Sequence, residues 1–458
     1  MLSATVIMAF TVTSIHAQQP VAKIGYFMDN APSKHFLNPA LAPVRGYFSL
    51  PAVGNFNVGL NSNLAVNNFT TFANPNATEA EFLAGLSANN YINSNLRMGV
   101  LGIGTYIGRH FISFDLGTRI NFETNVPYDF FRAVKQGFEG DDIHYDIQNM
   151  SLSTEVIGEA ALGGSFEIIE GLRIGAKAKL LAGGLKMAAD LNRFKVDLTS
   201  DMFHIQTDAD LSVYGAGLGF ETDNDTIVNL AFNTPNQLAG MGVAFDLGAS
   251  YTIISSKLLT LNVSAGVIDL GSIKWSKNAG NVANAGGNYT ITQDDIIAGY
   301  MAGGTVPDEE PDITAQMTKM LKFVVKDDAG VDLPEPLTAT INAGAEVGVL
   351  DNRISLGVLY SQRMHPINPS SEITAMLNLK PIPMLSLSGS YALKKVEVPT
   401  LGSLGTLPTF GVGLGLNLFI ANIFVACDYV PLDYMNAAAN THIQAGVSIA
   451  LGKMKDRQ

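Results

Sequence analysis

Between Phe410 and Ala421 every even position carries a large apolar side chain: Phe410, Val412, Leu414, Leu416, Leu418 and Ile420. The odd positions run Gly411, Gly413, Gly415, Asn417, Phe419 and Ala421. A period of two is a strand, because successive side chains leave a pleated backbone on opposite faces. The face opposite the bulky residues is too small for a second buried core and too weakly charged for the exterior of a soluble sheet. Lipid outside and a small, polar lumen inside satisfy both faces at once.

The pattern recurs. Ile443, Ala445, Val447, Ile449 and Leu451 oppose His442, Gln444, Gly446, Ser448 and Ala450. Leu385, Leu387, Gly389, Tyr391 and Leu393 oppose Ser386, Ser388, Ser390, Ala392 and Lys394. Ile354, Leu356, Val358 and Tyr360 oppose Arg353, Ser355, Gly357 and Ser361, with Leu359 breaking the rule; Phe114, Leu116, Ile120 and Phe122 oppose Asp115, Arg119 and Glu123. In hydrocarbon every backbone N–H and C=O must find a partner within the protein, so lipid-facing strands close on themselves. The expected fold is all-β, a transmembrane antiparallel β-barrel over residues 46–452, with about 14 strands and a range of roughly 12 to 16. Short turns at Gly108-Arg109, Asp351-Asn352 and Pro381 to Pro383 mark hairpins. Candidate strands include 171–187, 190–200, 208–221 and 226–233, some of which are expected to be loop ribbons.

Composition narrows the class. The 458 residues are only 15% charged, with mean hydropathy +0.20. No mature segment reaches the roughly 18 to 20 unbroken apolar residues of a membrane helix. An excess of 41 acidic over 28 basic residues leaves no basic stripe for phosphates, so no nucleic-acid partner is expected. At the start, apolar Leu2 to Thr13 and the small Ala17 before Gln18 read as a cleaved signal peptide over 1–17, although no Lys or Arg precedes Lys23. An internal hydrophobic strand is the other reading. Residues 453–458 form a polar tail, and the single Cys427 cannot form an intramolecular disulfide.

Three segments have helical spacing and are expected as short loop helices: Phe82, Leu83 and Leu86; Phe130, Phe131, Val134 and Phe138; and Ile313, Met317, Met320, Leu321 and Val324. The third lies in a long acidic insertion, 276–337, carrying Asp308, Glu309, Glu310 and Asp312. It reads as a solvated loop on the rim or as a surface that docks protein partners.

Charges on the small-residue face would line the lumen: Arg97, Asp115, Arg119, Glu123, Arg173, Lys177, Lys179, Asp246, Glu346 and Arg353. Both signs occur, which favours bracing by ion pairs over a selective charged pore. The seven His residues show no metal-ligand spacing, and Asp141-Asp142 near His144 and Asp223-Asn224-Asp225 read as turns. No GxSxG turn is present. No catalytic residue, metal or cofactor is therefore expected. The lone Trp275 is expected at a membrane interface or packed at the rim.

Asn38-Pro39-Ala40, within Phe36 to Pro43, resembles the opening motif of the outer-membrane FadL-type hydrophobic-compound transporters and of related Bacteroidota barrels, including those associated with type IX secretion. Val267 to Trp275 and the ending Gly446 to Gly452, with the overall length, look like a Bacteroidota outer-membrane family of unknown function. The chain departs from many outer-membrane barrels in lacking a terminal aromatic. The resemblance implies a plug, residues 18–45 with Asn38, Pro39 and Ala40, inside a 14-stranded outer-membrane barrel. It also implies passive uptake of a small hydrophobic compound, or alternatively a structural or secretion-associated barrel that docks partner proteins. Locally, Pro39 lacks an N–H and pushes Asn38 into an extended conformation while the Asn amide can bond loop backbone. That suits an immobile turn in a polar lumen, or a plain turn into the first strand.

Overall fold

The computed structural model describes residues 21–452 except 30, 52, 75, 84, 138–141, 200–201, 216, 225, 233–236, 293–321, 326–331, 365–369, 399–402 and 431–437. The expected signal peptide, the acidic run Asp308 to Asp312, Phe138, most of the third helical segment and the polar tail lie outside the described residues.

Fourteen strands form the wall. In chain order they are Gly46–Ser49 continued by Phe56–Ala65, then Asn89–Ile107, His110–Pro127, Asp142–Ile169, Leu172–Thr199, Gly240–Ser255 and Leu259–Trp275. The second seven are Thr340–Val349, Ile354–Arg363, Ser370–Ile382, Leu385–Val398, Ser403–Asn417, Ala421–Val430 and Ala438–Leu451. Each pairs antiparallel with the next. The last returns to the first, Gly46 opposite Leu451 and Phe56 opposite Ala445, so the sheet has no free seam. Short turns gather at one end, and the long connections at the other.

The outer surface is apolar. Met241, Val243, Phe245, Leu247, Tyr251 and Ile253 are all exposed, while Asp246 between them is fully buried on the inner face. From Met241 to Ile253 a strand climbs ~40 Å at ~3.3 Å per residue, or ~30 Å once tilted by ~40°. That matches the hydrocarbon thickness of a bilayer.

Two strands outrun this belt. Below Gly183, Leu172–Thr199 pairs with Gly240–Ser255; above Leu185 it pairs with Met202–Gly215 instead. The expected strand at 190–200 is thus the upper part of one long strand. Met202–Gly215, Gly280–Thr292 and the hairpin Leu218–Asp223 with Thr226–Phe232 are ribbons beyond the wall. Within Asp142–Ile169 odd-numbered residues face inward both below and above Asn149, which takes φ 56° and is exposed, but their chemistry changes. Ser153, Glu155 and Glu159 are buried beneath exposed Leu152 and Leu162, whereas higher up Ile143, Tyr145 and Ile147 are buried and His144 and Gln148 are exposed. The buried apolar residues join Phe194, Val196 and Ile205 in a core of their own, against which Phe130 and Ala133 of the helix Tyr128–Gln136 pack. Phe82, Leu83 and Leu86 cluster with Leu64 and Phe131 nearby.

Of the two places expected for Trp275, the structure excludes the membrane interface and gives packing at the rim, where it stands opposite Gly240 at the end of the wall pairing. It is fully buried among Ile157, Leu181 and Ile273, and its Nε1 donates to Glu335 at 2.7 Å. An indole can be buried because its one donor is satisfied.

Candidate functional site

Residues 21–44 occupy the lumen. Two short 3-10 turns, Lys23–Tyr26 and Pro32–Phe36, carry them down from the long-loop end toward the short-turn end. At the top, the Asp428 carboxylate accepts the backbone N–H groups of Lys23 (2.5 Å) and Ile24 (3.2 Å), and Lys23 Nζ meets Glu372 at 2.8 Å. Tyr429, at φ 60°, donates its hydroxyl to the same Glu372 at 2.7 Å.

Midway, His35 donates through Nδ1 to the Pro32 carbonyl (2.7 Å), with Nε2 3.1 Å from both Asp115 and the Tyr47 hydroxyl. The Phe36 ring lies between two cations, Arg97 at 4.6 Å and Lys177 at 4.2 Å. Lower still stands the Asn38-Pro39-Ala40 turn. Asn38 Oδ1 accepts from the Ala40 N–H at 2.9 Å and its Nδ2 donates to Tyr26 Oη at 3.2 Å. The wall donates back through Asn342 to the Leu37 carbonyl and Ser165 to the Ala40 carbonyl. A Cβ at Gly175 would collide with the Pro39 and Ala40 backbone, and one at Gly248 with the Asn38 amide, so the turn lies directly on glycine backbone. Apolar wall residues mark the other contacts. Leu359, the exception to alternation, points inward onto Tyr26, Phe27, Phe36 and Leu37.

The wall charges pair among themselves. Arg97 Nη2 donates to Glu159 at 2.7 Å; Arg119 bridges Glu159 and Asp269; Lys179 meets Asp269 and Asp246, both at 2.7 Å; and Lys177 meets Asp115 at 3.1 Å. Glu123 stands 3.5 Å from Arg363, and Glu346 accepts from Ser355 at 2.7 Å. Arg173 donates to Ser165 and lies 3.7 Å from Glu167. Opposite charges alternate, which is how buried ions are tolerated.

The first strand is interrupted at mid-height. Six residues, Leu50 to Asn55, intervene between Ser49 and Phe56, where the last strand spans the same interval with only Gly446 and Val447. The surplus bows outward, leaving Leu50 and Val53 exposed. Behind it is a slot of about 30 Å³, room for one or two waters. Pro32, Ser33, His35 and Phe36 line it from inside, and Leu101 and Leu116 from the wall. Toward the short-turn end a cavity of about 500 Å³ opens between the lumen segment and the wall, lined by Asp29, Lys34, Arg109, Glu167, Arg173 and Glu346.

The model of a family of unknown function, DUF5723, matches residues 39–428. The chain belongs to that family. No curated protein matches the sequence. Among solved structures the chain is similar to the Pseudomonas putida toluene transporter TodX at 10% identity, over 95% of this chain and 94% of that one, with a TM-score of 0.41. A Pseudomonas aeruginosa FadL homologue gives 11% identity over 96% and 98% with a TM-score of 0.39. The Ralstonia pickettii toluene transporter TbuX gives 9% over 92% and 92%, also at 0.39.

In this DUF5723 barrel, nine of the ten charges expected in the lumen lie on the inner side of the wall. Arg353 does not. Leu350, Asp351 and Asn352 take positive φ, so the turn consumes 350–353 and Arg353 is left exposed at the short-turn end before alternation restarts at Ile354. Sequence reading missed Glu159 and Asp269. Glu159 sits among Gly158, Ala160 and Ala161, where small residues on both faces erase the alternation. Asp269, at φ 60°, belongs to a bulge that turns both Ile268 and Asp269 inward. His35, Glu372 and Asp428 carry no local signal, because the pairs His35–Asp115, Lys23–Glu372 and Lys23–Asp428 join residues 80, 349 and 405 apart.

Proposed function

We propose that this barrel is an outer-membrane channel, its short turns in the periplasm and residues 21–44 its plug, that passes a small hydrophobic compound between lumen and bilayer through the interrupted first strand. The observation that carries this reading is the slot between Phe36 and the bowed Leu50 to Asn55 segment, which has lumen residues on one side and Leu101 and Leu116 on the other. A sideways route serves only a compound that dissolves in hydrocarbon. At about 30 Å³ the slot admits nothing larger than water, so passage requires Pro32–Phe36 or the bowed segment to move.

The test is uptake of radiolabelled toluene by proteoliposomes. Deleting Leu50 to Val53 straightens the wall and is expected to reduce uptake to that of protein-free vesicles, and deleting Phe36 to Pro43 to raise it. Uptake unaffected by the wall deletion would sink the route. A second reading, docking of a partner protein at the long-loop end, is supported by the ribbon sheet there, which has a core a mere connection does not need. Recovery of a stoichiometric partner from intact membranes would favour it.

A further inference from the structure

The turn Pro32–Phe36 stands between the slot and the larger cavity. Pro32, Ser33, His35 and Phe36 border the slot, while Lys34 borders the cavity of about 500 Å³. The turn therefore has space to withdraw into. The backbone N–H groups of Lys34 and Leu37 donate within the lumen segment, to Ala31 and Lys34. At the slot, side chains tie the turn to the wall: the Phe36 ring between Arg97 and Lys177, and the His35 imidazole against Asp115 and Tyr47. Of these two ties the imidazole is the one whose charge changes near neutral pH.

The donors available fix the form of His35. The Pro32 carbonyl can only accept, so Nδ1, 2.7 Å away, carries a hydrogen. Nε2 faces Asp115 and the Tyr47 hydroxyl, both at 3.1 Å, and that hydroxyl stands 2.9 Å from the other Asp115 oxygen. A neutral ring with its proton on Nδ1 brings a bare lone pair to Nε2. Tyr47 has one proton. Given to Asp115, it leaves two acceptors face to face; given to Nε2, it deserts Asp115. A second ring proton resolves the conflict, because Nε2–H then donates to one Asp115 oxygen and the Tyr47 hydroxyl to the other.

The surroundings pull both ways. Asp115 supports the imidazolium, whereas burial of His35 and the Lys177 ammonium, 3.1 Å from the same Asp115 oxygen, oppose it. Arg97 is engaged by Glu159 at 2.7 Å, and on the turn itself Lys34 lies 4.0 Å from Asp29.

We propose that protonated His35 latches the Pro32–Phe36 turn onto Asp115, and that loss of the proton frees the turn to withdraw from the slot. Its effect on passage rests on the wall route proposed above; the latch itself does not. The proton-bound form gains a hydrogen bond, so the latch holds at low pH and lets go as pH rises through the His35 titration. One hydrogen bond to a charged group shifts the ratio of held to freed turn about tenfold.

Two measurements on the full barrel between about pH 4.5 and 8.5 test this. 4-Fluorophenylalanine placed at Phe36 alone reports the turn by fluorine NMR. One resonance is expected at acid pH, with a second, solvent-exposed one gaining on it about tenfold as pH rises. His35→Gln is expected to remove this dependence, heat-modifiable migration confirming the folded barrel. A spectrum that ignores pH, one that changes equally in His35→Gln, or a midpoint matched by no histidine ring in nitrogen-15 spectra of the wild type overturns the latch. Toluene uptake by proteoliposomes is expected to rise with the same midpoint. Uptake constant with pH while the fluorine spectrum titrates overturns the role in passage. Uptake no greater than that of protein-free vesicles at every pH sinks the wall route and leaves the latch standing.

Discussion

The lower and upper halves of the strand Asp142–Ile169 keep the same inward parity and bury opposite chemistries. In the wall, Leu152, Leu162 and Phe166 are exposed and Glu155 and Glu159 are buried; in the ribbon sheet, Ile147 is buried and Gln148 exposed. The same parity holds on either side of Asn149, the one residue between them at positive φ (56°), so what differs is the solvent. Where hydrocarbon surrounds the strand, apolar side chains gain nothing by turning inward, and the interior can be given to paired charges. Where water surrounds it, the hydrophobic effect restores an ordinary core.

The comparison is broken most severely by removing a wall carboxylate. Glu159→Ala strands Arg97 and leaves Arg119 with Asp269 alone, and is expected to cost about 3–5 kcal/mol, read as a lower temperature for heat-modifiable migration. Next comes Leu162→Lys, which puts an ammonium into lipid for about 2–4 kcal/mol. The same charge at Gln148→Lys, on the same face but above the belt, should change stability by no more than about 0.5 kcal/mol. Equal effects at the two positions would remove the boundary drawn between them. Ile147→Ala should cost a similar 2 kcal/mol or so, but locally: protease should cut the ribbon sheet sooner while barrel migration holds.

The smallest effect is a titration. His144 stands 2.8 Å from Asp197 and 2.9 Å from Asp142, and the Asp197 hydrogen bond raises its pKa above the usual histidine range. A pKa raised on folding stabilises the sheet fully below about pH 6.5 and ceases to do so as pH rises through the folded value. Protease resistance of the ribbons should therefore decline slightly on going alkaline, and Asp197→Asn should flatten the dependence. Barrel migration should not follow the same curve.

Closure, strand direction and the outward apolar face were legible in the sequence because period two survives wherever one face meets lipid. Leu359 was legible as an anomaly but not as a contact; its partners Tyr26 and Phe27 arrive from the far end of the chain. Residues 190–200 read as a strand of their own because the alternation in Leu172–Thr199 changes parity at a bulge between Gly183 and Leu185, the inward set passing from Lys177, Lys179 and Leu181 to Lys186, Ala188, Phe194 and Val196, where the partner strand also changes. Asp269 was hidden by its bulge, and Arg353 was assigned to a face although it belongs to a turn.

Arg45 donates to the carbonyls of Gly452, Leu418 and Phe419, fastening the start of the first strand to the finish of the last at the same rim. A cylinder whose chain enters and leaves by one rim can be enlarged or trimmed only by whole hairpins. Kin of different girth should therefore differ by two staves or four, never by one.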